Sequence, residues 1–132
     1  MRNYQPKGKY TLEKSLYKRT IATIQDYDRM VEDVGRILTS SPSHDNNGGG
    51  RSNMPTQPTE AMALRITELN KQIRAISNSL SVVPHEYREG VWYNITKGKA
   101  YPVFYSKRTY SRYKQIFIYE VAKRMGWVYE EE

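Results

Sequence analysis

Residues 58–81 read PTEAMALRITELNKQIRAISNSLS and carry the clearest helical pattern in the chain. Proline suits the first helical position, and Glu60 places a carboxylate at the positive end of the helix. The pattern predicts a helix that starts near Pro58 and ends before Val83–Pro84, because a proline disfavours a helical residue before it. The apolar residues recur at steps of four and three, on one helix face: Met62, Ile66, Leu69, Ile73, Ile76 and Leu80.

An earlier segment, residues 11–39, has the same spacing and no proline. It predicts one long helix of roughly 43 Å at 1.5 Å per residue, with Gly35 as its only weak position. A helix of that length needs a partner, so residues 11–39 and 58–81 are predicted to form an antiparallel hairpin or a short coiled coil, which can also dimerise. The apolar stripe of the first helix is Leu16, Thr20, Ile24, Tyr27, Val31, Val34 and Leu38.

The segment between these helices, residues 40–57, reads SSPSHDNNGGGRSNMPTQ. Its prolines and three consecutive glycines predict a flexible linker, and a functional loop is the alternative. Residues 1–10 contain three bases and no acid, which predicts a basic flexible arm. Residues 128–132 end in three glutamates and form an acidic tail.

Two further helices are predicted after Val83. The first covers Pro84–Thr96, and Lys97-Gly98-Lys99 ends it. The following segment Ala100–Tyr105 contains a proline that prevents a long helix there. Ser106 is a good N-cap for a final helix through Met125, and the next residue is a glycine, a common helix stop. The apolar stripe of that helix is Tyr110, Tyr113, Phe117 and Val121.

Positive charge concentrates in the final helix. The chain holds 21 Lys and Arg against 14 Asp and Glu, a net charge of +7, and residues 101–127 hold six bases against one acid. Residues 82–127 are therefore predicted to be a DNA-binding helical domain that takes double-stranded DNA as its partner. From spacing alone, an amphipathic helix with a solvated basic face is an equal alternative. The candidate DNA-binding residues are Ser106, Lys107, Arg108, Thr109, Ser111, Arg112, Lys114 and Gln115.

The composition argues against several other functions. The chain has no cysteine, which excludes a disulfide framework, a thiol nucleophile and thiolate zinc sites. His44 and His85 have no partner histidine at metal-ligand spacing, and Gly48–Gly50 lacks the GK(S/T) of a phosphate loop. We therefore expect no enzyme activity, catalytic residue, metal or cofactor. No run approaches 18 apolar residues, so we expect a cytoplasmic protein with no membrane partner.

The order of these motifs resembles that of the RinA/ArpU-type phage late-transcription activators. GGGRSN at Gly48–Asn53, PTE at Pro58–Glu60 and SKRTYSRYKQIFIYEVAKRMG at residues 106–126 carry the resemblance. It implies an all-α fold, with a long N-terminal helical hairpin and a C-terminal helix-turn-helix similar to sigma-factor region 4. The recognition-helix pattern of the family falls on Ser106, Thr109, Tyr110 and Arg112.

The helix-turn-helix is shortened in this chain, because only Ala100–Tyr105 stands where the family has a full positioning helix. We expect Pro84–Thr96 to take over its packing. The resemblance implies a phage- or prophage-encoded transcriptional activator that binds promoter DNA in the bacterial host and assists host RNA polymerase at late genes. A protein contact through the same surface is also open.

A DNA-packaging or structural adaptor, such as a small terminase-like subunit, is the alternative function. In it the helical hairpin oligomerises and the basic region binds DNA non-specifically. A ring with weak sequence preference would favour the adaptor, whereas a monomer or homodimer that protects a short promoter element would favour the activator. The Tyr-rich C-terminal third also suits stacking on single-stranded bases, although Tyr110, Tyr113 and Tyr119 have a spacing more typical of a helix core.

Overall fold

The computed structural model describes residues 8–39 and 59–128, and this part of the chain contains five helices and no strand. The prediction of an all-α fold is confirmed for these residues. The predicted linker at 40–57, its Gly48–Asn53 motif, and most of the predicted arm at 1–10 and tail at 128–132 lie outside them. The helices are α1 (Lys14–Gln25), α2 (Tyr27–Thr39), α3 (Glu60–Leu80), α4 (His85–Lys97) and α5 (Lys107–Arg124).

The described residues divide into two compact units. The first unit holds residues 8–26 and 74–128. It therefore contains all of α1, α4 and α5, together with the last turns of α3. The second unit holds residues 27–39 and 59–73, and therefore contains α2 and the larger part of α3.

The core of the first unit lies where α1, α4 and α5 pack against one another. Helix α5 buries two adjacent stripes, one through Phe117 and Val121 and the other through Ile118 and Ala122. A helix buried on two sides is held firmly by its neighbours. The core therefore fixes the position of the N-terminal end of α5. The fully buried apolar side chains of this unit include Ile24, Ile76, Val83, Val91, Tyr110, Phe117, Ile118 and Val121.

Helix α1 packs against α4 and α5. The predicted hairpin of residues 11–39 with residues 58–81 is not confirmed as a whole, because only α2 shares a compact unit with the larger part of α3. Because it lies against two helices, α1 buries a wider stripe than a hairpin would require. Thr20 and Ile24 are buried as predicted, but Tyr17 and Ile21 are buried as well, and Leu16 is only half-buried.

The single helix predicted over residues 11–39 is interrupted at Asp26. This residue has φ −86° and ψ 1°, outside regular helix geometry, and its N–H donates to Thr23 O at 3.0 Å and to Ala22 O at 3.2 Å. The last turn of α1 is thereby tightened. A tertiary contact holds this end, because Gln25 Nε2 donates to the carbonyl of Ile95 in α4 at 3.0 Å.

In the second unit, α2 buries Met30 and leaves Val31 and Leu38 exposed, which corrects the predicted stripe for this half of the segment. Tyr27 and Val34 of the predicted stripe are half-buried, so the covered face of α2 keeps part of that stripe and extends to Met30. Asp33 joins the two helices of the unit: it accepts from Arg29 and Arg36 in α2 and, at 3.4 Å, from Arg65 in α3.

Several helix ends match the predicted signals. Helix α4 stops at Gly98 (φ 68°), and α5 is followed by Gly126 (φ 83°); both glycines adopt the left-handed conformation that other residues avoid. Helix α3 begins at Glu60 because the Met62 N–H donates to Thr59 Oγ1 at 3.1 Å. The predicted start at Pro58 lies just outside the described residues.

Gly90 marks the closest approach of α4 to α5. A Cβ atom at this position would lie 2.5 Å from Tyr110 Cε1 and 3.0 Å from Pro102 Cδ, both well inside normal contact distance. The glycine therefore allows the Tyr110 ring to lie directly on the backbone of α4. Helix α4 thus packs against the final helix.

Candidate nucleic-acid interface

The first turn of α5 is fixed by its N-cap. Ser106 has an extended backbone, and its hydroxyl accepts from the N–H of Arg108 at 3.1 Å. The hydroxyl is thus engaged in capping, and the remaining free N–H groups of the first turn give that end partial positive charge. There is no acidic residue in this turn to offset it.

Three cations lie exposed in the first two turns of α5: Lys107, Arg108 and Arg112. Arg108 and Arg112 are one turn apart, about 6 Å along the axis, and arginine can donate two parallel hydrogen bonds to guanine or phosphate. Between Lys97 and Tyr119 the sequence contains no aspartate or glutamate. These side chains therefore form an exposed positive surface with no acid in that part of the sequence.

Lys114 is directed to α4 and lies at the margin of this surface. Its Nζ donates to Asn94 Oδ1 at 2.9 Å, and Asn94 in turn donates to the carbonyl of Lys99 at 2.8 Å. Burial lowers the pKa of Lys114. The side chain ties α5 to the C-terminal end of α4, and to contact a phosphate it would have to leave Asn94.

Gln115, predicted as a DNA-binding residue, is buried and only 8% exposed. It continues the second buried stripe of α5, three residues before Ile118 and seven before Ala122. The prediction assumed one apolar stripe, whereas α5 packs against both α1 and α4 and therefore buries a wider arc. Gln115 belongs to the packed side of the helix.

Thr109 and Ser111 are partly exposed beside the three cations. Ser111 makes a side-chain hydrogen bond with Tyr101, which partly offsets the rise that burial causes in the pKa of that phenol. Of the eight predicted residues, five present an exposed or partly exposed polar group here without a cap or a contact to α4: Lys107, Arg108, Thr109, Ser111 and Arg112.

A cluster of tyrosines supports this end of α5. The Tyr101 and Tyr110 rings are stacked, with centroids 4.9 Å apart and planes 8° apart, and Tyr87 meets Tyr110 edge-on at 5.1 Å. Tyr87 also contacts Tyr105 at 4.8 Å and Tyr113 at 4.9 Å. The cluster joins α4, the connecting segment and α5, so it holds the connection in place.

Two functional candidates were missed in the sequence. Val103 and Phe104, in the connection before α5, are 92% and 81% exposed. The sequence predicted only that the proline prevents a long helix in this segment and assigned no role to either side chain. The available signal was the block of cations on both sides, with Lys99 before them and Lys107 after.

No family model, curated protein or solved structure matches this chain. The resemblance to RinA/ArpU-type activators therefore rests on the quoted motifs alone. Among the described residues, no helix is long and apolar enough to cross a membrane, and no three His, Cys, Asp or Glu side chains lie together as a metal site would require.

Proposed function

We propose that this chain binds double-stranded DNA through the N-terminal half of α5 and acts as a phage-type transcriptional activator. The observation that carries the proposal is the exposed cationic group of Lys107, Arg108 and Arg112 at the capped start of a firmly packed helix whose first turn has no acid. Phosphates are attracted to such a surface, and a helix of this kind fits the major groove.

The position of each cation on α5 decides which part of the DNA it contacts. Lys107 and the free N–H groups of the first turn suit a phosphate, because a helix N-terminus favours an anion. Arg108 and Arg112, about 6 Å apart along the helix, reach positions separated by about two base-pair rises of 3.4 Å. The buried stripes of α5 keep this geometry rigid, which lowers the entropy lost on binding.

Assistance to host RNA polymerase at late genes is the part of the proposal that rests on the resemblance. In this arrangement the polymerase contact uses a surface other than the start of α5. The protein would then hold polymerase near a promoter element while α5 occupies the groove.

The test is duplex-DNA binding by the Arg108→Ala/Arg112→Ala double variant. Each base contact of this type contributes about 1–3 kcal/mol, so the double variant should bind a promoter fragment at least tenfold more weakly. Thermal unfolding should stay unchanged, because both side chains are exposed.

A matched control removes the same charge elsewhere. Lys71 and Arg74 are exposed on α3, and the Lys71→Ala/Arg74→Ala variant should bind within about threefold of the parent, because only long-range attraction is lost. Equal losses in the two double variants would show that net charge, rather than the start of α5, drives binding.

The DNA-packaging or structural adaptor is the second candidate, and exposed apolar side chains in the second unit favour it. Val31 and Leu38 on α2 and Leu64 on α3 are exposed, and all three would be covered in an oligomer. Sedimentation at several concentrations separates the candidates. A ring-sized assembly that binds any duplex equally would support the adaptor, and a monomer or dimer with a preferred site would support the activator.

A further inference from the structure

Two neighbouring apolar side chains, Val103 and Phe104, project into solvent just before the proposed DNA-binding helix. Among the described residues they are the most exposed large apolar side chains, at 92% and 81%. The adjacent chain is well packed, because Tyr101 stacks on Tyr110 and Tyr105 contacts Tyr87. Packed neighbours thus hold Val103 and Phe104 in water, and we call this pair the apolar tip. Because the two side chains stay exposed, they add no hydrophobic stabilisation to the fold.

The charge around the apolar tip selects an anionic partner. Residues 97–119 contain six bases and no acid, and the tip lies between Lys99 and Lys107 of that segment. The excess of bases in this segment disfavours a basic protein partner and favours a polyanion that also offers apolar groups. The DNA major groove has that combination, because thymine methyl groups lie there between the phosphate backbones.

We propose that the apolar tip contacts thymine C5-methyl groups in the major groove and so makes the chain select thymine; this rests on the proposed DNA-binding function. Phe104 and Arg108 are four residues apart, so their Cα atoms are at most about 14 Å apart, which is about four base-pair rises of 3.4 Å along one groove. One groove can therefore hold the tip and the arginines together. Val103 and Phe104 act here as specificity-determining residues beside the polar contacts of α5.

The probe is a duplex selected by the full chain from a random-sequence library. The selected sites should contain thymine at one or two fixed positions. Replacing those thymines with deoxyuridine removes only the methyl groups and should weaken binding about fourfold per methyl, the factor that corresponds to about 0.8 kcal/mol. The same replacement outside the selected positions should have no effect.

The variant arm uses Val103→Ala/Phe104→Ala, with Leu64→Ala as the matched control. Leu64 is also an exposed apolar side chain, at 65%, but it lies on α3. The tip variant should bind the thymine site and the deoxyuridine site equally, whereas the Leu64→Ala protein should keep the parent's discrimination. Unfolding curves of both variants should match the parent, since the removed atoms are in solvent.

The outcomes separate this proposal from the one on which it rests. If the parent binds DNA through Arg108 and Arg112 but does not discriminate deoxyuridine, only the role of the apolar tip is overturned. If the parent selects no sequence and the arginine variant binds like the parent, both proposals fail. If the tip variant keeps full DNA discrimination but loses binding to phosphatidylserine vesicles, the tip inserts into anionic membranes, and the DNA role is wrong.

Discussion

Replacing Gly90 by alanine tests how closely α4 approaches α5. On a helix with free space, Gly→Ala stabilises the fold by about 1 kcal/mol, because alanine has the higher helix propensity. At Gly90 the new methyl group would lie 2.5 Å from Tyr110 Cε1 and 3.0 Å from Pro102 Cδ. Contacts between carbon atoms are normally about 3.5–4.0 Å, so one side must move by about 1 Å.

This displacement is costly because the Tyr110 ring is enclosed by neighbouring side chains and has no space to move into. Its side chain is 1% exposed, and its ring lies against Tyr101 on one side and Tyr87 on the other. Overpacking of this kind costs about 1–3 kcal/mol, and the rigid ring places Gly90→Ala near the upper end. After the gain in helix propensity, the net loss is about 2 kcal/mol, which lowers Tm by about 8 °C for a chain of this size.

The assay is thermal and urea unfolding followed by circular dichroism, with Gly35→Ala as the propensity control. A Cβ atom at Gly35, also inside a helix, meets nothing within 4 Å, so this change should stabilise α2 by about 1 kcal/mol. In a Tyr110→Leu background the edge of the ring is gone, and Gly90→Ala should become markedly less harmful. If Gly90→Ala is as stable as the parent, α4 and α5 do not approach as described.

Three further changes have definite expected outcomes. Ser106→Ala removes the N-cap of α5 and should cost about 1 kcal/mol in urea unfolding, with no loss if the cap does not form. Ile76→Ala should cost about 2–5 kcal/mol because Ile76 is fully buried, whereas Ser77→Ala, on the exposed side of α3, should change the stability little. Burial, with repulsion from Tyr101, raises the pKa of Tyr17 from 10.0 to about 12. The unfolded chain therefore loses that proton first, and stability that is complete below pH 10 should fall between about pH 10 and 12. Tyr17→Phe should fall less steeply over that range, and an unchanged slope would contradict the burial of Tyr17.

Local signals in the sequence predicted the helix ends well. A serine before α5 and glycines after α4 and α5 act through their own backbone, so they need no knowledge of the rest of the fold. The apolar stripe of α3 is also a local pattern in the sequence, and it correctly predicted that Leu69 and Ile76 are buried. Ala75 and Ser79 are buried too, because neighbouring structure covers more than the stripe.

Tertiary pairing could not be predicted from these patterns. An apolar stripe shows that a helix face is covered but does not say which helix covers it, and α1 packs on α4 and α5. The interruption at Asp26 and the burial of Met30 in α2 were not predicted either. Gly90 looked like any weak helical position, since only the position of Tyr110 shows why a larger residue would not fit.

The candidate site was predictable in part, because charge is visible in a sequence and burial is not. Lys107, Arg108 and Arg112 are exposed as the charge pattern suggested, whereas Gln115 is buried beside Ile118. The exposure of Val103 was not predicted, because hydropathy does not show which apolar side chains stay in solvent.

The most direct test places a DNA-cleaving group at the start of α5. The chain has no cysteine, so Lys107→Cys gives a single attachment point for an iron chelate, and Lys71→Cys on α3 gives the matched control. The Lys107→Cys conjugate should cut a bound, selected duplex within a few base pairs of the centre of the protected site, and the Lys71→Cys conjugate should leave those positions uncut. Equal cutting by both conjugates, or none from position 107 on a duplex that is fully bound, would show that α5 does not enter the DNA.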